Sequence, residues 1–359
     1  MKGAFDPYPF VRPVLHALDP ETAHEAGLRA LEYGLFPAKR RISDPVLETT
    51  LFGRRLSHPL GLAAGFDKNG RVFAPAFGLG FSFVEIGGVT PLPQAGNARP
   101  RVFRLPRERA IVNRIGFAND GMDVVASRIR DRRGTGLLGI NLAANTDSVD
   151  PPDDFVRLAL RFVPLVDYIT LDISCPNTRN GRLFLERGPL EDLLGRLAAS
   201  FEDAALARPK IVAKLGPDLD EARLADLLSV LCAHRIDGLV ISNTTSERPS
   251  SLTSEARNEV GGLSGPPLFE RSTRMLAHVY AATHGKLTLI GVGGIASGKD
   301  AYDKIRAGAT ALQLYTALVY GGPPAIRRIV RELAGYLRHD GFSSVKAAVG
   351  ADVSSSYAI

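Results

Sequence analysis

Polar side chains recur at one kind of place in this chain: immediately after short apolar runs. Ala63-Ala64-Gly65-Phe66-Asp67-Lys68 follows the first run, and Glu85-Ile86-Gly87-Gly88-Val89-Thr90 ends the second. Asn141 lies in the third, Asp172-Ile173-Ser174-Cys175-Pro176-Asn177 closes the fourth, Lys214 the fifth and Asn243-Thr244-Thr245 the sixth. Gly291-Val292-Gly293-Gly294 and Tyr315-Thr316 complete the set. Lysine is almost never buried unpaired, so Lys68 and Lys214 at such positions are expected to face negative charge on a bound molecule. Asn113, Asn141, Asn177 and Asn243 carry donors and acceptors together, which suits a planar heterocycle with alternating C=O and N–H. A single Asn is more often a turn residue; four near one mouth favour binding, with one expected to be structural. Cys175 is the candidate nucleophile or thiol base, although a lone cysteine is more often inert packing, the reading given to Cys232.

Gly291–Gly294 precedes Ser297-Gly298-Lys299 at an expected helix start. Backbone N–H groups unobstructed by Cβ, near a helix N-terminus, form an anion cradle, and glycines that merely turn the chain are the blander reading. Gly261-Gly262-Leu263-Ser264-Gly265 could cover the same anion.

The elements that must position these groups follow from periodicity. Nearly all-apolar runs at 60–64, 81–87, 137–143, 166–173, 211–215, 238–242, 287–292 and 311–315 read as parallel strands buried on both faces. Helical patterns at 153–162, 190–207, 221–235, 268–283, 299–307 and 324–338 separate or follow them. Eight βα units in series predict an α/β fold, the TIM (β/α)8 barrel, whose chemistry collects at the C-terminal ends of the strands. Loops after strands seven and eight are the usual phosphate position there. A doubly wound open sheet is the runner-up, but no GxGxxG turn follows the first strand. Residues 1–45 stand apart as a helical extension, followed by the barrel over 46–359. Phe10, Val11, Val14, Leu15 and Leu18 recur at helical spacing, and Asp19-Pro20-Glu21 opens a second helix. That pair reads either as a cap on the barrel's floor or side, or as an apolar-faced hairpin at a membrane surface that feeds an apolar substrate inward. On spacing alone His24 reads as a surface residue.

Composition narrows the classes. Of 359 residues, 45% are hydrophobic and 23% charged, which excludes a largely disordered chain. The formal charge of +6 is diffuse, with no basic run interleaved with aromatics, so nucleic acid is not an expected partner. Two distant cysteines without CxxC or Cys/His spacing make a disulfide framework or metal site unexpected. No run of about 18 apolar residues spans a bilayer, and the first residues lack a secretory core.

Taken together, these motifs resemble the dihydroorotate dehydrogenases, most closely the quinone-reducing class 2 branch, along nearly the whole chain. The resemblance runs from Phe10-Val11-Arg12-Pro13 and Leu18–His24 through Pro59–Gly65, Arg99–Leu105 and Asn113–Phe117 to Asn243–Thr245, Gly261–Gly265 and Gly291–Ile295. The N-terminal match carries the class, because the soluble class lacks that extension. The resemblance implies FMN in the barrel, contacted by Ala64, Lys68, Gly88, Asn141, Asp172, Lys214 and Gly265, with its phosphate near Gly294, Tyr315 and Thr316. It implies substrate contacts from Lys68, Asn113, Asp172, Asn177, Asn243 and Thr244. A base takes a proton from C5 of dihydroorotate while C6 delivers hydride to flavin N5, giving orotate. A quinone between the N-terminal helices, near His24 and Arg104, is the expected acceptor. Peripheral contact with the cytoplasmic side of the cell membrane follows.

Three positions depart from the family pattern. Cys175 stands where class 2 has its catalytic serine; a thiol, with an ordinary pKa of about 8.5, is easier to deprotonate than a hydroxyl. Asp172 replaces an Asn, and a second negative charge about 4 Å from the substrate carboxylate costs on the order of 4 kcal/mol at an effective dielectric of about 20. Asp172 is therefore expected to be protonated, paired with a lysine, or facing another substrate. Gly88 replaces a Thr or Ser, and the loop Thr178–Arg182 also diverges. Two other readings stay open: a paralogue acting on another cyclic amide or imide, and a flavin-binding protein without turnover.

Overall fold

The computed structural model describes residues 8–36, 42–131, 136–174 and 181–353. Two helices come first, α1 (Tyr8–Ala17) and α2 (Pro20–Glu32). A hairpin of β1 (Thr49–Leu51) and β2 (Arg54–Leu56) follows. Then come β3 (Leu60–Leu62), α3 (Phe73–Leu79), β4 (Phe83–Val89), β5 (Val102–Leu105), β6 (Ala110–Asn113), α4 (Met122–Ile129) and β7 (Leu137–Leu142). The middle of the chain supplies α5 (Pro151–Phe162), β8 (Tyr168–Asp172), α6 (Arg187–Asp203), β9 (Lys210–Leu215), α7 (Glu221–Ala233) and β10 (Gly238–Ile241). The last third adds β11 (Gly262–Ser264), α8 (Phe269–Ala282), β12 (Thr288–Val292), α9 (Gly298–Arg306), β13 (Ala311–Leu314), α10 (Thr316–Gly321), α11 (Pro324–His339) and α12 (Val345–Ala348).

Eight parallel strands close in the order β3-β4-β7-β8-β9-β10-β12-β13, the last pairing back with the first. The predicted TIM barrel is present, and each of the eight apolar runs contributes one strand. Side chains alternate across a strand, so every second residue points into the barrel. Phe83, Tyr168, Val212, Val240 and Ile290 form a buried layer that Leu51 and Leu56 of the β1–β2 hairpin join. That hairpin, unforeseen from the sequence, closes the N-terminal end. Two residues further along, the inward positions turn polar: Glu85, Thr170, Lys214 and Gln313. Asn141 and Asp172 are buried as well, and strand register sets Asp172 opposite Lys214. The site is therefore built on strands rather than on loops alone.

Residues 102–113 and 262–264 form a second unforeseen feature, an antiparallel sheet in the order β11-β6-β5. Its strands are short and β5 is only half-buried, so no continuous apolar run marks them. The glycine group 261–265 is consequently a strand edge rather than a free anion loop.

The N-terminal helices neither cap the floor nor lie apart. Asp19 opens α2 by accepting the N–H groups of Glu21 and Thr22, with Pro20 in the first turn. Glu21 receives Arg101 at 2.9–3.2 Å, and Arg71 donates to both Glu25 and Glu32 at 2.7–3.0 Å. Arg104 donates to the carbonyls of Leu15, His16 and Leu18 at 2.9–3.3 Å, where α1 ends. These arginines come from loops and strands near the barrel mouth, so the helix pair is fixed over the end where the polar layer opens. No described helix is long and apolar enough to cross a membrane.

Candidate active site

A cavity of about 570 Å³ begins in the polar layer and runs out between the N-terminal helices. Asn141, Asp172, Lys214 and Gln313 lie along it, and Leu15, Ala23, His24, Leu28 and Leu31 line its stretch between the helices. Every described residue expected from the sequence borders it: Ala64, Lys68, Gly88, Asn113, Asn243, Thr244, Gly265, Gly294, Tyr315, Thr316 and Arg104 join those already named. Cys175 and Asn177 lie outside the described residues.

Their environments explain what each can do. Lys68 donates to the Gly65 carbonyl at 2.8 Å, and burial pushes its ammonium down to about 8 against the pull of Glu21. Asn113 Nδ2 reaches the Gly262 carbonyl at 3.4 Å, which ties the small sheet to the mouth. Asn243 is held at both ends of its amide: Nδ2 donates to Asp172 Oδ1 at 3.1 Å, and Oδ1 accepts the Thr244 N–H at 2.8 Å. Burial drives the Asp172 carboxyl upward, and Lys214 opposes it. Tyr315 is pushed up to about 12 by burial, so it stays a neutral phenol.

Asn141 gives the test of cofactor fit. Among the described residues both polar atoms of its amide are buried and have no partner within hydrogen-bonding distance, as is true of Gln313 Oε1, although the amide lies near enough to Asp172 to help hold that carboxyl down. Buried amides left unpaired cost roughly 1–3 kcal/mol each, so an amide of this kind beside a cavity marks where a ligand's polar edge belongs. A flat ring with carbonyl and imide groups fits this floor, and the buried lysines suit its electron-rich side. The departure at Gly88 has a packing reason. A Cβ there would lie 2.8 Å from the Phe117 ring and 3.0 Å from Asn141 Oδ1, so the phenyl ring takes the room that a Thr or Ser side chain would need.

Two expectations need correction. His24 is not a surface residue: it packs edge-on against Phe66 with ring centroids 5.2 Å apart and lies 6.1 Å from Tyr315. Burial and Lys68 hold its imidazole down at about 4. The start of α9 is not an open anion cradle, because carboxylates already occupy it. Asp300 accepts the N–H groups of Ala296 and Ser297, and Glu332 accepts that of Gly298. The glycine pair itself does line the cavity, as does Thr316, whose hydroxyl donates to Ser264 Oγ at 2.9 Å. Gly294 is, besides, required by the protein's own packing. It sits at φ +79°, and a Cβ there would come within 2.5 Å of Phe269 Cβ.

The sequence reading missed Gln313 as a floor residue. Glu85 Oε2 gathers Tyr168 Oη at 2.9 Å, Thr170 Oγ1 at 3.2 Å and Gln313 Nε2 at 2.9 Å, and so fixes that amide. A glutamine inside the run Ala311-Leu312-Gln313-Leu314 was the available signal, since an inward polar residue in a buried strand needs a reason.

Comparison with known proteins places this arrangement. Residues 46–337 match the family model described as dihydroorotate dehydrogenase. A protein of Rhodospirillum rubrum named dihydroorotate dehydrogenase (quinone) is 49% identical, over 97% of this chain and 95% of its own length. One of the same name from Parvibaculum lavamentivorans is 47% identical, over 97% and 99%. Among solved structures, DHODH of Eimeria tenella in complex with ferulenol superposes with a TM-score of 0.89 at 36% identity, covering 94% of this chain and 98% of that one. The chain belongs to the dihydroorotate dehydrogenase family, in its quinone-dependent class.

Proposed function

We propose that the protein oxidises dihydroorotate to orotate on bound FMN and passes the electrons to a quinone, a step of pyrimidine biosynthesis. The observation that carries this reading is one continuous cavity that joins the buried amide of Asn141 at the barrel floor to the apolar stretch between α1 and α2. FMN held there would supply two-electron redox chemistry between substrate and quinone.

The chain's own residues do the rest. Asn141, Lys214 and Lys68 would hold the ring system, with Ala64, Gly88, Asp172 and Gly265 against it and Gly294, Tyr315 and Thr316 at the phosphate end. Asn113, Asn177, Asn243 and Thr244, with Lys68 and Asp172, would orient the pyrimidine so that its C5 proton faces Cys175 and its C6 hydrogen faces the ring. Cys175 takes the C5 proton. Positioning two reacting centres on one rigid floor contributes much of such a rate. Asp172 fits dihydroorotate because Asn243 and the nearby Lys214 offset its charge. His24 and Arg104 would border the quinone. Residues 1–45 serve the acceptor and 46–359 the chemistry, and the exposed Phe10 and Val14 on α1 suit peripheral contact with the cytoplasmic side of the cell membrane.

Acid release of the chromophore from purified protein tests the cofactor: FMN is expected, and FAD, free riboflavin or no flavin would overturn it. Cys175→Ala is expected to slow flavin reduction by dihydroorotate on the order of 10²–10⁴-fold, the usual worth of a general base. An unchanged rate would remove Cys175 from that role.

A further inference from the structure

Lys304 has no part in the site described above, yet it is fully buried. Among the described residues no carboxylate lies within ion-pairing distance of it; its ammonium donates to two hydroxyls, Ser272 Oγ at 2.8 Å and Thr273 Oγ1 at 3.0 Å, and sits 5.2 Å from the Phe269 ring centroid. Burial pushes it down to about 7, with Asp300 pulling the other way. An ammonium is costly to keep in such a place, and a methionine would fill the same volume without that cost.

The hydroxyls lead toward the cavity. Thr273 Oγ1 donates to the Phe269 carbonyl at 2.7 Å. Ser272 Oγ lies 3.0 Å from that carbonyl and 3.2 Å from the carbonyl of Gly293. Ser272 Oγ is thus within donating distance of both carbonyls, and its bond to Gly293 is the one that reaches the loop beside the cavity. Gly293 and Gly294 line the cavity, whereas Ser272 and Lys304 do not. The Gly293 carbonyl and the Gly294 N–H belong to one trans peptide and point in opposite directions. A carbonyl engaged by Ser272 behind the loop therefore aims the Gly294 N–H at the cavity side.

We propose that Lys304 is a positioning residue for the cofactor phosphate: its charge, relayed through Ser272 to the Gly293 carbonyl, polarises the Gly293–Gly294 peptide and strengthens the Gly294 N–H as a donor to an anion. Hydrogen bonds in series reinforce one another in a low-dielectric interior. The inference rests on the FMN reading above, and it explains a buried cation that touches no ligand. Selectivity follows: the relay favours a phosphorylated flavin over the same flavin without phosphate.

The test is a competition on the holoenzyme. Protein with bound FMN is equilibrated with increasing riboflavin, and the flavin retained after gel filtration is identified by mass. Lys304→Met is expected to lower the riboflavin-to-FMN ratio needed for half-replacement by about tenfold, the worth of one charge-assisted hydrogen bond. Ser272→Ala, which keeps the lysine and cuts the relay, is expected to move it the same way by about threefold, and it serves alone if the lysine variant fails to fold. A merely structural lysine would weaken both flavins equally and leave the ratio where it was; that result overturns the proposal. Wild-type protein that holds no flavin would instead defeat the FMN reading itself.

Discussion

At the scale of the residue, Asp172 and His24 are the two groups whose charge is decided by where the chain buries them. Asp172 has a carboxyl raised by burial. Such a group contributes stability that is present below its unfolded value and is lost as pH rises through the folded one. Asp172→Asn is therefore expected to raise the melting temperature at neutral pH, with the gain disappearing toward pH 4; thermal melts across that range check it. His24 has the opposite sign. Its folded value of about 4 lies below the ordinary imidazole value of 6.5, so its contribution is complete above 6.5 and is lost as pH falls through 4. That loss amounts to at most about 3 kcal/mol. His24→Gln is expected to flatten this acid limb in denaturant melts taken between those two pH values. Residue types at strand ends announced most of the site, because parallel strands buried on both faces leave polar residues conspicuous. His24 was misread since helical spacing says nothing about which neighbour a helix meets. Gln313 was missed because it sits inside a run, one residue from the end that drew attention.

At the scale of the element, the helix pair is the part whose placement no local signal encodes. Its existence and the start of α2 were legible from Asp19-Pro20-Glu21 and the apolar spacing, whereas its ends were not: the apolar spacing runs on to Leu35, but α2 stops at Glu32. Its position depends on Arg71, Arg101 and Arg104, which lie 39 to 89 residues away from their partners in sequence. Arg104 spans three carbonyls at the end of α1, so Arg104→Ala is expected to loosen that helix selectively. The Michaelis constant for quinone should rise about tenfold, given that hydrogen bonds to a charged group contribute about 1.5–3 kcal/mol each. Flavin reduction by dihydroorotate should change by less than about twofold. Equal losses in both half-reactions, measured separately by stopped flow, would mean that Arg104 supports the barrel rather than the acceptor path. The β5–β6–β11 sheet escaped notice for a related reason: strands of three or four residues produce no run long enough to read.

At the scale of the whole molecule, the geometry separates a buried chemical end from an exposed apolar one. Phe10 is 72% exposed and Val14 64%, one turn apart on α1. Burial of each in a lipid interface contributes up to about 1.5–3 kcal/mol. Phe10→Asp with Val14→Asp is thus expected to reduce sedimentation with anionic phospholipid vesicles at least about tenfold. The closed barrel was legible because eight apolar runs can be satisfied in few ways, whereas continuity between its floor and the helix pair depends on docking between segments far apart in sequence. That continuity makes the decisive measurement simple. Under anaerobic conditions, dihydroorotate added to the purified yellow protein should bleach the flavin band and form one orotate per flavin, and a short-chain quinone should then restore the colour. A flavin that stays oxidised in excess dihydroorotate, or that bleaches but cannot be reoxidised by quinone, would contradict the reading of one cavity serving both partners.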